Sequence, residues 1–169
     1  MRIPAFDLLK RNYPDYWNYK HADDARKLIG GETLDRDITN TCTIRLSHAM
    51  NLSGVPVPYQ WDDITNRRGK NRQYYIIRVK NFRTWMEHKF GKPDYDFQKT
   101  GGTTFDRSLI PGVEGVIAFD IGFKDATGHF DLWYQTKFSR ENNGGEEYFD
   151  QAHRISLWTT GSKATIPPA

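Results

Sequence analysis

Asn40-Thr41-Cys42-Thr43-Ile44-Arg45-Leu46-Ser47-His48-Ala49-Met50-Asn51-Leu52-Ser53-Gly54 is the stretch on which the fold turns. Ile44, Leu46, Ala49, Met50 and Leu52 recur at a spacing that suits a mostly buried helix, and Gly54 followed by Val55-Pro56 ends it. A polar segment, residues 32–41, runs into this helix, and the cysteine falls at the junction. Upstream, residues 5–11 and 20–29 read as helices. In the second, Ala22, Ala25, Leu28 and Ile29 share a face and Gly30-Gly31 supplies a stop. Tyr13-Pro14-Asp15-Tyr16-Trp17 between them reads as a turn with aromatic packing. Downstream, residues 73–79 are rich in strand formers, and Asn81 is placed to cap a helix over 82–90 that carries Phe82, Trp85, Met86 and Phe90 on one face. Residues 94–112, with two Gly/Pro-rich turns, read as a long connection. Strand-like runs follow at 115–121, 129–134 and 154–158. Helices lead and strands dominate the second half, so the expected class is α+β with an antiparallel sheet.

The chain has 169 residues, a length that fits one domain (1–169) able to bury its own core. With 37% hydrophobic and 14% aromatic residues it is globular and not disordered. Its 24 basic and 21 acidic side chains leave a formal charge of +3, too small and too evenly spread to name a partner. The densest basic cluster, Arg67 to Arg72, reads either as a solvated loop or as a steering patch for an anionic polymer. No run approaches the roughly 20 apolar residues that span a bilayer. Asp7 and Lys10 interrupt the first residues, so no cleaved secretory signal is expected and no membrane insertion either.

Cys42 is the only cysteine, which excludes an internal disulfide and a multi-thiolate zinc site. A lone thiol is either an inert buried residue or a nucleophile. The helix junction favours the second reading, because unpaired backbone N–H groups and the helix dipole stabilise a thiolate, and the same donors can hold an oxyanion beside the sulfur. Thr41 or Thr39 as the cap, with Cys42 merely packed, is the alternative.

In Gly128-His129-Phe130-Asp131-Leu132-Trp133, His129 and Asp131 lie two apart on a strand and share a face, while Phe130 and Leu132 point to the other, toward the core. A carboxylate beside a histidine holds one tautomer and raises its pKa, the setting of a general base. A solvent-facing polar side of a half-buried strand is the competing reading. Gly128 admits a close backbone or substrate approach where the strand begins. His21, His48 and His88 fall on helices without a recognisable partner, and His153 precedes the last strand.

These two segments, taken together, resemble the fourth family of type VI secretion amidase effectors. Asn40 to Ser47, then Asn51 through Gly54-Val55-Pro56, is similar to that family's nucleophile helix. Tyr74-Tyr75-Ile76-Ile77-Arg78-Val79, Gly91-Lys92-Pro93-Asp94 and Gly115-Val116-Ile117-Ala118-Phe119 match further blocks in order. Gly128 to Trp133 resembles its histidine strand, and Tyr148-Phe149 through Leu157-Trp158 its closing strand, so the likeness spans roughly residues 28–158. It implies a papain-like/NlpC-like cysteine peptidase fold, with N-terminal helices and a nucleophile at a helix start packed on an antiparallel sheet. It implies Cys42 as nucleophile and His129 as base, cleaving the D-glutamate–meso-diaminopimelate bond of peptidoglycan stem peptides. It also implies delivery by a type VI secretion apparatus into the periplasm of a target bacterium, and a cognate immunity protein in the producer. No cofactor, metal or nucleic acid is expected. The chain departs from the familiar pattern at Tyr134-Gln135, where a tight turn is usual, and in its acidic third member, which is either Asp131 or Glu141. Strand geometry favours Asp131.

Two readings of other classes stand beside this one. The nine Tyr and five Trp side chains can stack on sugars or bases in a non-enzymatic glycan- or nucleic-acid-binding module. His129, Asp131 and His153 offer the ligand types of a zinc hydrolase, at a spacing that fits no named motif.

Overall fold

The computed structural model of the protein describes residues 1–99, 105–122, 128–135, 137–138 and 146–161. Two short helices lead the chain, α1 (Phe6–Asn12) and α2 (Ala22–Ile29), followed by α3 (Cys42–Leu52), which begins at the cysteine. Two small antiparallel ladders come next, β1 (Gln60–Trp61) with β2 (Ile64–Thr65), and β3 (Arg67–Arg68) with β4 (Tyr74–Tyr75). Helix α4 (Val79–Phe90) precedes a sheet built from β5 (Tyr95–Gln98), β6 (Val113–Ile121), β7 (Gly128–Gln135), β8 (Lys137–Phe138) and β9 (Ala152–Thr159). A short helix, α5 (Glu146–Gln151), runs directly into β9. The sheet order is β5-β9-β6-β7-β8, antiparallel throughout.

Alternation along the central strands sends side chains into two apolar layers. Val116 and Ala118 of β6, Phe130 and Leu132 of β7, and Trp158 of β9 meet Leu46, Ala49 and Met50 of α3 and Phe82 and Met86 of α4. Ile117, Phe119, Trp133, Ile155 and Leu157 face the other way, against Phe105, Ile110 and Phe149. Helices α3 and α4 therefore cover one face, in keeping with the expected α+β architecture, while α5 supplies Phe149 to the other, and Cys42 heads the helix packed on the first. Gly30, at φ +68°, ends α2 at the expected stop.

Two segments differ from the sequence expectation. Residues 73–79 were expected to form a strand, yet only Tyr74–Tyr75 lies in a ladder, and α4 starts at Val79 with Arg78 at its N-cap instead of Asn81. The extended backbone that follows is satisfied by side chains of α3: Ile76 N–H donates to Ser47 Oγ at 3.1 Å, and Thr43 Oγ1 donates to the Ile77 carbonyl at 2.9 Å. Inside the expected long connection, Tyr95–Gln98 pairs with β9 in register from Tyr95↔Leu157 to Gln98↔Arg154. Its exposure alternates in step with Tyr95 and Phe97, a period-two signal only four residues long.

Candidate active site

The first turn of α3 is capped from one residue further out than the usual position. Thr41, at the N-cap, gives no side-chain cap, because its Oγ1 accepts from Arg45 Nε at 2.9 Å. Asn40 takes over: its Oδ1 accepts the Cys42 N–H at 3.2 Å while its Nδ2 donates to the Gly128 carbonyl at 3.0 Å. One amide thus ties the start of the cysteine helix to the start of the histidine strand. The N–H expected to serve an oxyanion is engaged by Asn40 in this structure.

His129 and Asp131 share a face of β7, as expected, but that face is covered. Their exposures are 3% and 4%, which excludes a solvent-facing polar strand. The carboxylate can only accept, so His129 Nε2–H donates to Asp131 Oδ2 at 3.0 Å. Cys42 acts on the same imidazole, and with Nε2 turned to Asp131 it is Nδ1 that is left for the sulfur. Burial pulls the His129 pKa down. The imidazole's hydrogen bonding to Asp131 and Cys42, with the electrostatic pull of those two side chains, outweighs it and raises the pKa to about 9. Gly128 lets β7 approach its neighbour here, since a Cβ at this position would stand 2.5 Å from the Phe119 carbonyl oxygen and 2.9 Å from Val79 Cγ1.

Asp131 Oδ1 accepts two further donors, the Tyr13 hydroxyl at 3.1 Å and the Leu132 N–H at 2.8 Å. Burial, and then the Asp131 charge, hold the Tyr13 phenol well above its ordinary pKa. The Tyr148 ring lies flat on the imidazole, with centroids 4.1 Å apart and planes within 6°. Tyr16 stands 6.0 Å from the imidazole on another side and carries the Arg45 guanidinium 3.9 Å over its ring. Arg45 is fully buried and donates to the Pro14 carbonyl at 2.7 Å and the His21 carbonyl at 3.2 Å.

A cavity of about 370 Å³ opens on this arrangement, lined by Tyr16, Thr39, Asn40, Thr41, His129 and Tyr148 among others. Cys42 itself is shut off from solvent. A larger cleft of about 780 Å³ on the α1 side, around Lys10, Arg11 and Asn18, holds none of Cys42, His129 or Asp131.

Sequence reasoning singled out Cys42, His129 and Asp131, and the fold brings all three together. Glu141 lies outside the described residues. His153 sits on β9, and β6 stands between it and β7, so two ladder spacings of roughly 9–10 Å separate the backbones of the strands that carry His153 and His129. Of the helical histidines, His48 Nδ1 meets Tyr75 OH at 3.0 Å and His88 packs on Trp61. Tyr13, Tyr16, Tyr148 and Arg45 join the site only in the folded molecule. The available signals were the aromatic turn at 13–17 and an arginine inside an otherwise buried helix.

A family model described as type VI secretion system, amidase effector protein 4, matches residues 38–158. The effector Tae4 in the Tae4–Tai4 effector–immunity complex from Enterobacter cloacae is 25% identical, with a TM-score of 0.77 over 95% of this chain and 100% of that one. The Tae4–Tai4 complex from Salmonella Typhimurium gives 24% identity and a TM-score of 0.75 at the same coverage. The Salmonella typhimurium Tae4 bound to the Enterobacter cloacae immunity protein Tai4 gives 22% and 0.75 over 94% of this chain and 100% of that one. No curated protein sequence matches the chain significantly.

Proposed function

The chain belongs to the family of type VI secretion system amidase effector protein 4, and from that premise we propose that Cys42, His129 and Asp131 carry its cysteine amidase chemistry on peptidoglycan stem peptides. The bond cleaved is the amide between D-glutamate and meso-diaminopimelate. One observation carries the assignment of residues: a buried imidazole that donates to Asp131 through Nε2 and meets Cys42 on its other side, at the start of a helix.

In the proposed reaction Cys42 Sγ attacks the amide carbonyl carbon and a C–S bond forms. An imidazolium beside the sulfur is the arrangement that favours a nucleophilic thiolate. The Cys42 N–H exchanges its contact with Asn40 Oδ1 for the oxyanion, which is the stronger acceptor. Collapse breaks the C–N bond, and His129 gives its Nδ1 proton to the departing amine. Water then attacks the thioester and loses a proton to His129, and C–S cleavage returns the sulfur. Asp131 keeps the ring oriented through both half-reactions and stays ionised, as in the serine triad.

The cellular setting follows from the same reading: a type VI apparatus delivers the chain to the periplasm of a target cell, and a dedicated immunity protein neutralises it in the producer. Mass spectrometry of purified muropeptides, after incubation with wild type, Cys42→Ala and His129→Ala, tests the chemistry. Products split between D-glutamate and diaminopimelate by wild type alone are expected. Residual cleavage by Cys42→Ala near the wild-type rate would overturn the nucleophile assignment, and a different cleaved bond would overturn the substrate assignment.

A further inference from the structure

The segment Tyr13–Tyr16 lies ahead of the residues matched by the family model, yet it touches two parts of the proposed triad. At one end it is fastened to the cysteine helix. Arg45, three residues beyond Cys42, donates to the Pro14 carbonyl at 2.7 Å and lies 3.9 Å over the Tyr16 ring. At the other end the Tyr13 hydroxyl donates to Asp131 Oδ1 at 3.1 Å, across 118 residues of sequence.

We infer that Tyr13 is a positioning residue for the amidase reaction: its hydroxyl holds the Asp131 carboxylate in the orientation that aims Oδ2 at His129. The inference rests on the triad reading above.

A carboxylate that orients a histidine must itself be held, because rotation about its Cα–Cβ or Cβ–Cγ bond swings Oδ2 off the ring. Asp131 Oδ2 is committed to His129 Nε2, so Oδ1 decides the rotamer. Leu132 N–H, the next backbone amide, holds Oδ1 from within β7. That donor travels with the strand and cannot set the carboxylate against the helical layer where Cys42 sits. Tyr13 can, because its own backbone neighbour Pro14 is anchored to α3 through Arg45. The bond ends on an ionised acceptor inside a buried site, which makes it stronger than a neutral pair. Burial keeps the phenol protonated, so it donates throughout the working pH range.

A purely structural Tyr13, whose hydroxyl is merely satisfied by the nearest acceptor, makes a different prediction. A double-mutant cycle separates the two: kcat, KM and thermal midpoint for wild type, Tyr13→Phe, Asp131→Ala and the pair, on one purified muropeptide. Tyr13→Phe keeps the ring and removes only the donor. The expected result is a fall in kcat of about tenfold with KM changed less than about twofold, and an effect of under about twofold when Asp131 is already Ala. An equal loss in both backgrounds, or a lowered midpoint with wild-type kcat, overturns the inference. Asp131→Ala with wild-type kcat sinks the triad reading instead, so the two failures are distinguishable. If Asp131→Ala does not fold, Asp131→Asn serves the same cycle. Without the charge the phenol's bond has only neutral strength, and the loss on Tyr13→Phe is expected to shrink to under about threefold. A full tenfold loss there counts against the inference.

Discussion

Replacing Arg45 by methionine removes the donors that anchor the segment 14–21 to α3. The guanidinium is fully buried, and among the described residues its hydrogen bonds and ring contact go to neutral groups: Thr41 Oγ1, the Pro14 and His21 carbonyls, and the face of Tyr16. Methionine fills much of the volume but donates nothing. Each buried acceptor left without its donor costs about 1–3 kcal/mol, and a desolvated cation–π contact is worth about 1–2 kcal/mol. Against this, removing a charge from the interior returns part of its desolvation penalty, which is why apolar replacement of buried ion pairs is often neutral. Here the partners are backbone carbonyls that remain in place, so the refund is the smaller term and a net loss of about 3 kcal/mol is expected. In urea, with a slope of about 2 kcal/mol/M for a chain of this size, the midpoint falls by about 1.5 M. The assay is equilibrium unfolding followed by tryptophan fluorescence, with the buried Trp85, Trp133 and Trp158 as reporters. A loss below about 1 kcal/mol would refute the reasoning, because it would mean that the segment 13–21 is satisfied without its anchor.

The raised His129 pKa sets a pH window. A histidine raised in the folded state contributes stability that is complete below its ordinary value of about 6.5 and is lost as the pH climbs through about 9. In the proposed reaction the proton needed by the departing amine disappears over the same upper range, so kcat/KM should fall through about 9 in a pH–rate profile. Asp131→Asn removes the charge and weakens the hydrogen bond that raise this value, and its alkaline limb should lie at lower pH. An unmoved limb would separate Asp131 from the function of His129. Tyr148→Ala strips the ring that stacks on the imidazole and lines the approach to the buried sulfur. Iodoacetamide should alkylate Cys42 faster, while kcat falls by about tenfold as water enters the site. Slower alkylation would show that Tyr148 does not gate the sulfur.

Periodicity in the sequence carried what depends on a residue and its near neighbours. Ile44, Leu46, Ala49 and Met50 announce a buried helix that starts at the cysteine, and the alternation of His129, Phe130, Asp131 and Leu132 assigns two polar side chains to one face and two apolar ones to the helical core. Such patterns state which face of an element avoids water, because burial repeats with the geometry of helix or strand. They failed where the deciding partner was remote. Residues 76–78 read as strand, but side chains of α3 satisfy their backbone and no ladder forms. Tyr95–Gln98 needed β9 beside it before four alternating residues could count as a strand.

The site divides along the same line. That His129 and Asp131 share a face was legible from their spacing, since successive strand residues point in opposite directions. That they touch, that Cys42 reaches the same imidazole, and that Tyr13, Asn40 and Arg45 hold the parts together required the packed molecule. Contacts such as Tyr13 on Asp131, or Asn40 on Gly128, join segments 118 and 88 residues apart. No local periodicity encodes a rotamer or a hydrogen bond across that distance. Both are settled only when the helical layer closes on the sheet and each buried polar group has to find a partner there.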